Sequence, residues 1–246
     1  SRRRRRRNCA SPSSLRMLGS LELEERGRDV ELWGDRVIVA AGQKILVVDA
    51  SLPEALTVDR LVDAGGIVLD LDVVESSAFF LTPGGIGKAD LQDTSASPEE
   101  FFCLLPTTTG EWGIVEAGVT GCPDGPAKWY LDMEWRKFPA GFIEVEGGKV
   151  FVGLWRNFIV LEIGPTGYEV TGAIGLDDKI DGMKVEGDYA YLNLKHDGAP
   201  VIDLTDPDQP SIAGFHNVAC WVDGIYVDSM RLYRKDGVRI EIAVIE

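Results

Sequence analysis

The sequence has 246 residues, of which 45% are apolar and 26% are charged. These proportions are typical of a soluble globular domain and exclude an intrinsically disordered chain, which would contain fewer apolar residues. No run of about 18 apolar residues occurs, so the sequence predicts no transmembrane helix. The length is suitable for one large domain or two small ones.

The formal net charge of −15 is unevenly distributed. Six of the 25 basic residues lie in the run Arg2–Arg7, which leaves 19 basic residues against 40 acidic ones in the rest of the chain. So acidic a domain repels phosphate groups, and we expect no nucleic-acid-binding surface on its folded part. Residues 1–14 are predicted to be a disordered Arg-rich tail. The run is also compatible with a polybasic targeting or membrane-binding segment, or with a processed or engineered end.

The cysteines lack the spacing of a zinc site or of a disulfide-dense scaffold, because none of them are two to four residues apart. We expect free thiols, with a pair between Cys103 and Cys122 as the alternative; the full set is Cys9, Cys103, Cys122 and Cys220. Cysteine usage therefore leaves the redox compartment open.

Short apolar runs that end in an acidic residue recur along the chain, as in Ile45–Asp49 and Pro200–Asp203. The acidic residues that close these runs are Asp49, Asp90, Asp132, Glu162, Asp203 and Glu241, separated by 41, 42, 30, 41 and 38 residues. A glycine that opens an alternating strand recurs in the same phase, at Gly141, Gly182 and Gly224. One gap aside, the chain repeats with a period near 41 residues.

Each repeat contains three or four short alternating runs and no convincing helix. Gly-Asp and Gly-Gly pairs between these runs, such as those beginning at Gly34, Gly147 and Gly187, predict tight hairpin turns. Units of about 40 residues with four strands are typical of β-propeller blades. The sequence therefore predicts an all-β protein in which residues 15–246 form a single six-bladed β-propeller.

The spacing predicts two departures from a regular propeller. Only five residues follow Glu241, so residues 15–26, with the alternating Leu21-Glu22-Leu23-Glu24, are expected to supply the missing outer strand of the last blade. Asp132 is only nine residues from Gly141, so blade three, roughly residues 113–140, is expected to lack its outermost strand or keep a stub of it.

The segment Pro200–Pro210 and the preceding Tyr189–Leu192 resemble the LVIVD-repeat family of β-propellers. Its repeat couples a strand ending in Val-Ile-Asp to a turn with two prolines. Weaker matches lie around residues 45–53 and 87–98, whereas Glu162 and Glu241 replace the family's aspartate. The resemblance covers about half of the chain. It implies a propeller exported by, or displayed on the surface of, a bacterium or archaeon, and it implies no common activity.

The repeated acidic residues at the strand ends suggest, at first, a functional ring of carboxylates. Each closes a strand directly before a turn, where an aspartate side chain accepts hydrogen bonds from the next backbone amides. We therefore predict that they are turn residues with a structural role.

Asp181 and Asp223 each precede the glycine that opens a predicted innermost strand, and Asp177 lies in the same connection as Asp181. In a propeller these positions border the central channel. Since Ca²⁺ takes about six to eight oxygen ligands, we hypothesise that Asp177, Asp181 and Asp223 contribute to a site for Ca²⁺ or another divalent cation. The alternative is a set of solvated loop carboxylates.

Trp112, Trp221 and His216 lie on the same set of predicted loops. Aromatic side chains around a concave opening with a few polar groups are typical of a ligand pocket. Together with Asp181 and Asp223 they form the predicted ligand-binding site. Aromatic packing between blades and a solvated histidine are the alternatives.

The nucleophile elbow Gly-x-Ser-x-Gly, the Gly-rich phosphate loops and the zinc motif His-Glu-x-x-His are all absent. The first functional hypothesis is therefore a non-catalytic propeller that binds a ligand or a partner protein through the face at the channel mouth. The second is a metal-assisted hydrolase or lyase that uses Asp181, Asp223 and His216. The third is a structural module of a larger surface protein. We expect a monomer.

Overall fold

The computed structural model of the protein describes residues 17–93, 98–106, 112–116, 141–164, 167–194, 198–216, 224–228, 231–236 and 239–244. All regular elements in these ranges are β-strands, which confirms the predicted all-β class. No helix in this part of the chain is long and apolar enough to cross a membrane.

The strands form five separate antiparallel sheets. Sheet 1 has the strand order β1-β2-β3-β4, with the strands Gly27–Trp33, Arg36–Ala41, Lys44–Asp49 and Thr57–Asp63. Sheet 2 has the order β5-β6-β7-β8-β9, with the strands Asp70–Val74, Ser77–Leu81, Gly85–Asp90, Glu99–Pro106 and Trp112–Glu116. Within each of these sheets, neighbouring strands are therefore consecutive in the chain.

The remaining sheets follow the same pattern. Sheet 3 contains β10 to β13, which span Gly141–Glu146, Lys149–Leu154, Asn157–Gly164 and Gly167–Gly175. Sheet 4 contains β14 to β17, which span Ile180–Glu186, Tyr189–Leu194, Ala199–Asp203 and Ser211–His216. Sheet 5 contains β18 to β20, which span Gly224–Asp228, Arg231–Asp236 and Arg239–Val244.

The predicted hairpin turns are confirmed where the structure describes them. Gly34, Gly147 and Gly187 follow the first strands of sheets 1, 3 and 4 and have φ angles of +66°, +62° and +62°. Glycine reaches this left-handed region without the steric cost that a Cβ atom brings. These turns reverse the chain within two residues and set the pairing of the first two strands in each sheet.

The prediction of a six-bladed propeller is wrong. The described strands form five sheets of four, five, four, four and three strands, instead of six blades of four. The first strands of the sheets adjoin one another in the series β1, β5, β10, β14 and β18. Within the described ranges, this series shows no extensive contact between β18 and β1 that would close it into a ring.

The predicted third blade fails for a specific reason. Its described segment, the strand β9, does not open a sheet of its own but pairs antiparallel with β8, where Cys103 faces Val115 and Leu105 faces Gly113. β9 is therefore the fifth strand of sheet 2. A period in the sequence shows that a strand-and-turn unit recurs, but hydrogen bonding between strands decides which strands share a sheet.

The prediction that residues 15–26 supply a strand to complete the last blade is also wrong. Residues 17–26 form no strand, and Leu21 and Leu23 pack on sheet 1, against the buried side chains of Ala41, Leu46 and Val48. Burial of these leucines on a nearby apolar sheet face outweighs the alternation that suggested a strand.

The core is divided among the spaces between successive sheets. One cluster joins sheets 1 and 2 through Ile38, Val47 and Phe80. A second joins sheets 2 and 3, and a third joins sheets 3 and 4 around Phe158 and Leu192. The first strands β5 and β10 each contribute to two of these clusters, and the arrangement brings side chains of β1, β5, β10 and β14 together.

Candidate functional site

The predicted residues Asp177 and Asp181 are both exposed. Asp177 lies in the connection between β13 and β14, and Asp181 lies at the start of β14. Backbone hydrogen bonds tie this connection to the turn between β11 and β12: Leu176 N donates to Arg156 O and Ile180 N to Trp155 O, both at 2.7 Å. The two carboxylates therefore stand on an anchored connection and face solvent.

The other predicted site residues are only partly covered by the structure. Trp112 begins β9 and His216 ends β17, but their side chains lie outside the described part. Asp223 and Trp221 lie outside the described residues entirely. Among the residues that are described, no group of three or more His, Cys, Asp or Glu side chains could hold a metal ion. The predicted Ca²⁺ site and ligand pocket stay predictions.

The structural role predicted for the strand-end aspartates is confirmed at three of them. Asp49, Asp90 and Asp203 each accept a hydrogen bond from the backbone N–H two residues later, at 2.9, 2.7 and 2.8 Å. The hydroxyl of Thr205, followed by its backbone N–H, lowers the pKa of Asp203. The Ser51 side chain and N–H lower that of Asp49.

The remaining three strand-end acids behave differently or fall elsewhere. Glu162 is exposed and lies 3.6 Å from the ammonium of Lys149. Asp132 and the side chain of Glu241 lie outside the described part of the chain.

A different set of carboxylates comes together where the first strands of successive sheets adjoin. We call it the acidic row, and it consists of Asp29 and Glu31 on β1, Asp70 and Asp72 on β5, and Glu144 on β10. All five side chains are partly buried. Lys184 on β14 meets the row at its end, where its ammonium forms an ion pair with Glu144.

The row follows from a repeated position in the strands. The first strands of sheets 1 to 4 each end directly before a hairpin turn. The third residue from the end of these strands is Glu31, Asp72, Glu144 and Lys184, respectively. Because side chains alternate between faces along a strand, these four residues project from equivalent places. On β5 and β10 the apolar neighbours Leu71 and Val145 point to the opposite side and pack in the core, whereas Val30 and Leu32 beside Glu31 are exposed.

The carboxylates connect each sheet to the next. Asp29 Oδ2 accepts from Leu71 N at 3.0 Å, and Asp70 Oδ2 accepts from Ile143 N at 2.8 Å. Further along, Glu146 Oε2 accepts from Gly187 N at 3.3 Å. First strands of neighbouring sheets do not share a backbone ladder, so an N–H on the outer side of each first strand needs another acceptor. Side-chain oxygens from the preceding sheet provide it.

Burial dominates the electrostatics of the row. Burial, reinforced by the negative charge of Asp29, raises the pKa of Asp70 to about 8. Burial also raises the pKa of Glu144 to about 7, although the ammonium of Lys184 opposes the increase. The pKa of Glu31 is raised by burial and then by Asp72 and Asp29. Burial therefore disfavours the negative charge of Asp70, Glu144 and Glu31.

Sequence reasoning missed this row, although a signal was present. Acidic residues occupy alternate positions of the predicted innermost strands, in Asp29-Val30-Glu31 and Asp70-Leu71-Asp72. An acid at every second position of a strand whose other face is apolar indicates carboxylates that share one side of a sheet. The more conspicuous strand-end acids Asp49, Asp90 and Asp203 instead belong to turns.

No family model and no curated protein matches the chain. Its fold is similar to that of a functionally unknown protein from Desulfotomaculum acetoxidans, with a TM-score of 0.64, 12% identity, and coverage of 93% of this chain and 69% of the other. It is also similar to the computationally designed Ika8 protein, with a TM-score of 0.58, 13% identity, and coverage of 93% and 74%. At such identities the likeness concerns the fold alone, and the resemblance to LVIVD repeats stays a prediction.

Proposed function

We propose that this protein is a non-catalytic binding module whose acidic row takes a cationic group of its partner, namely the side-chain ammonium or guanidinium of a lysine or arginine. The observation that carries the proposal is the ion pair of Lys184 with Glu144. It is an example, within the same chain, of an organic cation bound by a carboxylate of the row.

The charge balance of the row supports the same function. Glu31, Asp72 and Glu144 occupy equivalent positions on three neighbouring strands, and Lys184 occupies the fourth. Among the described side chains, Glu144 is the only carboxylate of the row that forms an ion pair, and its partner is Lys184. Partly buried carboxylates without a counter-charge are costly, so a cation bound beside Glu31 and Asp72 would lower the free energy of the row.

An organic cation suits the row better than a hard metal ion. Ca²⁺ binding requires several oxygen atoms converging at about 2.3–2.6 Å from one point, and the described residues contain no such group of side chains. Several carboxylate oxygens are already held by backbone N–H groups of the next sheet. An ammonium or guanidinium can bind the remaining oxygens by ordinary charge-assisted hydrogen bonds.

The proposal is tested by titrating the protein with a lysine-rich peptide and with the same peptide acetylated on its lysines, using isothermal titration calorimetry. We expect saturable binding of the first peptide and none of the second. The double variant Glu31→Gln/Asp72→Asn should weaken binding by about tenfold or more, since two charge-assisted hydrogen bonds are lost. Both replacements retain a side-chain oxygen for the hydrogen bonds of the fold.

The matched control is Glu22→Gln/Glu54→Gln, which removes the same charge from two exposed positions. This control should bind the peptide as the unmodified protein does, because exposed charges distant from the ligand contribute little. Equal loss of affinity in both double variants would show that attraction is a property of the whole acidic surface and would overturn the proposal. So would binding of the acetylated peptide.

A further inference from the structure

The outer edge of β1 differs from the corresponding edges of β5 and β10. On β5, the backbone N–H of Leu71 donates to Asp29 of sheet 1 at 3.0 Å. On β10, the N–H of Ile143 donates to Asp70 of sheet 2 at 2.8 Å. Val30 holds the same place on β1, the fourth residue from the end of the strand, but no described sheet precedes β1 in the series of first strands. The N–H of Val30 therefore faces outward and receives no carboxylate from the described part of the chain.

Leu32 extends this open edge by two residues. Its counterpart on β10, Val145, likewise donates its N–H outward, to Asp72 at 2.7 Å. In an antiparallel pair, a residue whose N–H points away from the partner strand also turns its C=O away. Among the described strands β1 pairs with β2 alone. The backbone groups of Val30 and Leu32 therefore form an edge that an additional strand can join.

The side chains along this edge are apolar and exposed. Val30 is 58% exposed and Leu32 is 72% exposed, whereas Leu71, the counterpart of Val30 on β5, is 2% exposed. Leu71 is covered because it lies in the core cluster between sheets 1 and 2. Exposed apolar side chains beside an unpaired strand edge are typical of a surface that binds another chain.

The two faces of β1 differ in chemistry. Asp29 and Glu31 point toward sheet 2, as the hydrogen bond of Asp29 with Leu71 N shows. Val30 and Leu32 point to the opposite face, because side chains alternate along a strand. A strand that joined the edge would alternate in the same way. It would present every second side chain to the carboxylates of the acidic row and the others to Val30 and Leu32.

A second copy of β1 does not suit this edge. It would bring Asp29 and Glu31 close to the same two residues of the first copy, and like charges opposite each other on neighbouring strands are destabilising. The formal net charge of −15 adds to the repulsion between copies. A chain with basic side chains at these positions meets the carboxylates with attraction instead.

We propose that the open edge of β1 binds an extended peptide, in which lysine or arginine alternates with apolar residues, as an additional antiparallel strand. The peptide backbone pairs with the outward N–H and C=O groups of Val30 and Leu32. Its apolar side chains cover these two residues, and its basic side chains bind Glu31 and the neighbouring carboxylates of the row. This inference rests on the proposed function, because it specifies the partner that brings the cationic group.

The order of residues in the peptide gives the first test. One short peptide alternates lysine and valine, and a second has the same composition with all lysines in one block and all valines in another. Isothermal titration calorimetry should show at least roughly tenfold tighter binding of the alternating peptide, because only that peptide satisfies both faces of β1 at once. Equal affinities would overturn the inference and leave the proposed binding of a cation intact. Failure of both peptides to bind would overturn the two proposals together.

Methylation of the peptide backbone tests the strand pairing itself. In an antiparallel pair, the peptide residue opposite Val30 has its side chain on the same face and its N–H directed toward β1. The apolar residues of the peptide therefore donate to the edge, and the N–H groups of its lysines point away. N-methylation of the valines should abolish binding, whereas N-methylation of the lysines should leave the affinity nearly unchanged. Unchanged binding after methylation of the valines would overturn the added strand.

The protein variant Val30→Thr/Leu32→Thr tests the apolar face. Its affinity for the alternating peptide should fall by about tenfold or more, because the apolar area that the peptide covers is reduced. The matched control is Val58→Thr/Leu61→Thr on β4, at the other edge of the same sheet, where the two residues are 42% and 51% exposed. The control should bind the peptide as the unmodified protein does. An equal loss in both double variants would contradict a site at β1.

Discussion

Asp72 and Val145 are 73 residues apart in the chain, yet Asp72 Oδ2 accepts a hydrogen bond of 2.7 Å from the backbone N–H of Val145. The bond crosses from the first strand of sheet 2 to the first strand of sheet 3. The other carboxylate oxygen of Asp72 accepts from Val73 N, also at 2.7 Å. One side chain therefore provides acceptors to two strands that share no backbone ladder.

Replacement of this carboxylate by a methyl group should be costly. We expect Asp72→Ala to reduce the free energy of unfolding by about 1–3 kcal/mol, because Val145 N loses its acceptor at a partly buried junction. Asp72→Asn should cost less, since an amide oxygen can still accept. Urea denaturation of both variants measures the difference, and equal losses would contradict the assigned role of the acceptor.

Gly87 on β7 is a site where a single methyl group should disturb the core. A Cβ atom at this position would overlap the ring of Phe80, whose side chain is only 1% exposed. We expect Gly87→Ala to destabilise the protein by about 1–3 kcal/mol through overpacking. Gly175→Ala on β13 is the matched control, because a Cβ atom there meets no atom within 4 Å.

Both glycine variants can be compared in one thermal or urea denaturation series. The control should change the free energy of unfolding by less than about 0.5 kcal/mol. If Gly87→Ala were as stable as Gly175→Ala, the ring of Phe80 would have room that the structure does not show.

Glu75 occupies a turn position at which the corresponding residues are Gly34, Gly147 and Gly187. Its φ angle is +57°, in the left-handed region that costs a residue with a Cβ atom about 1–2 kcal/mol. We therefore expect Glu75→Gly to be more stable than Glu75→Ala by about 1 kcal/mol. The two variants remove the same charge and differ in the Cβ atom alone. Denaturant midpoints measure the difference, and greater stability of the alanine variant would contradict the strain.

The ion pair of Lys184 with Glu144 should contribute more in alkaline than in acidic solution. Burial raises the pKa of Glu144 to about 7 against the opposing effect of Lys184. Without the ammonium that pKa rises further, and stability is lost as the pH increases through it. We expect Lys184→Met to lower Tm more at about pH 9 than at about pH 5.

A variant of an exposed ion pair is the comparison for this measurement. Lys44 lies 3.6 Å from Glu24, and the Glu24 side chain is 91% exposed. Lys44→Met should therefore change Tm little at either pH, since exposed ion pairs contribute about 0–1 kcal/mol. An equal loss at both pH values in Lys184→Met would contradict a contribution that depends on the ionisation of Glu144.

The local features of this protein could be predicted from its amino-acid sequence. Alternation of apolar residues predicted strands, and glycines such as Gly34 and Gly147 predicted the hairpin turns that the structure confirms. The turn role of Asp49 and Asp203 was also predictable. Each of these features depends on the conformation and hydrogen bonds of residues that lie within a few positions of one another, so the signal is contained in a short segment.

Tertiary structure alone decided which strands share a sheet and which side chains meet between sheets. The repeat did not reveal that β9 pairs with β8, or that Leu21 and Leu23 cover sheet 1. It also did not reveal that Asp29 accepts a hydrogen bond from Leu71 N and Asp70 one from Ile143 N. These relationships join residues that are distant in the chain. They arise because apolar faces must be buried and unpaired backbone N–H groups must find acceptors, and both requirements can be met only once the sheets are assembled.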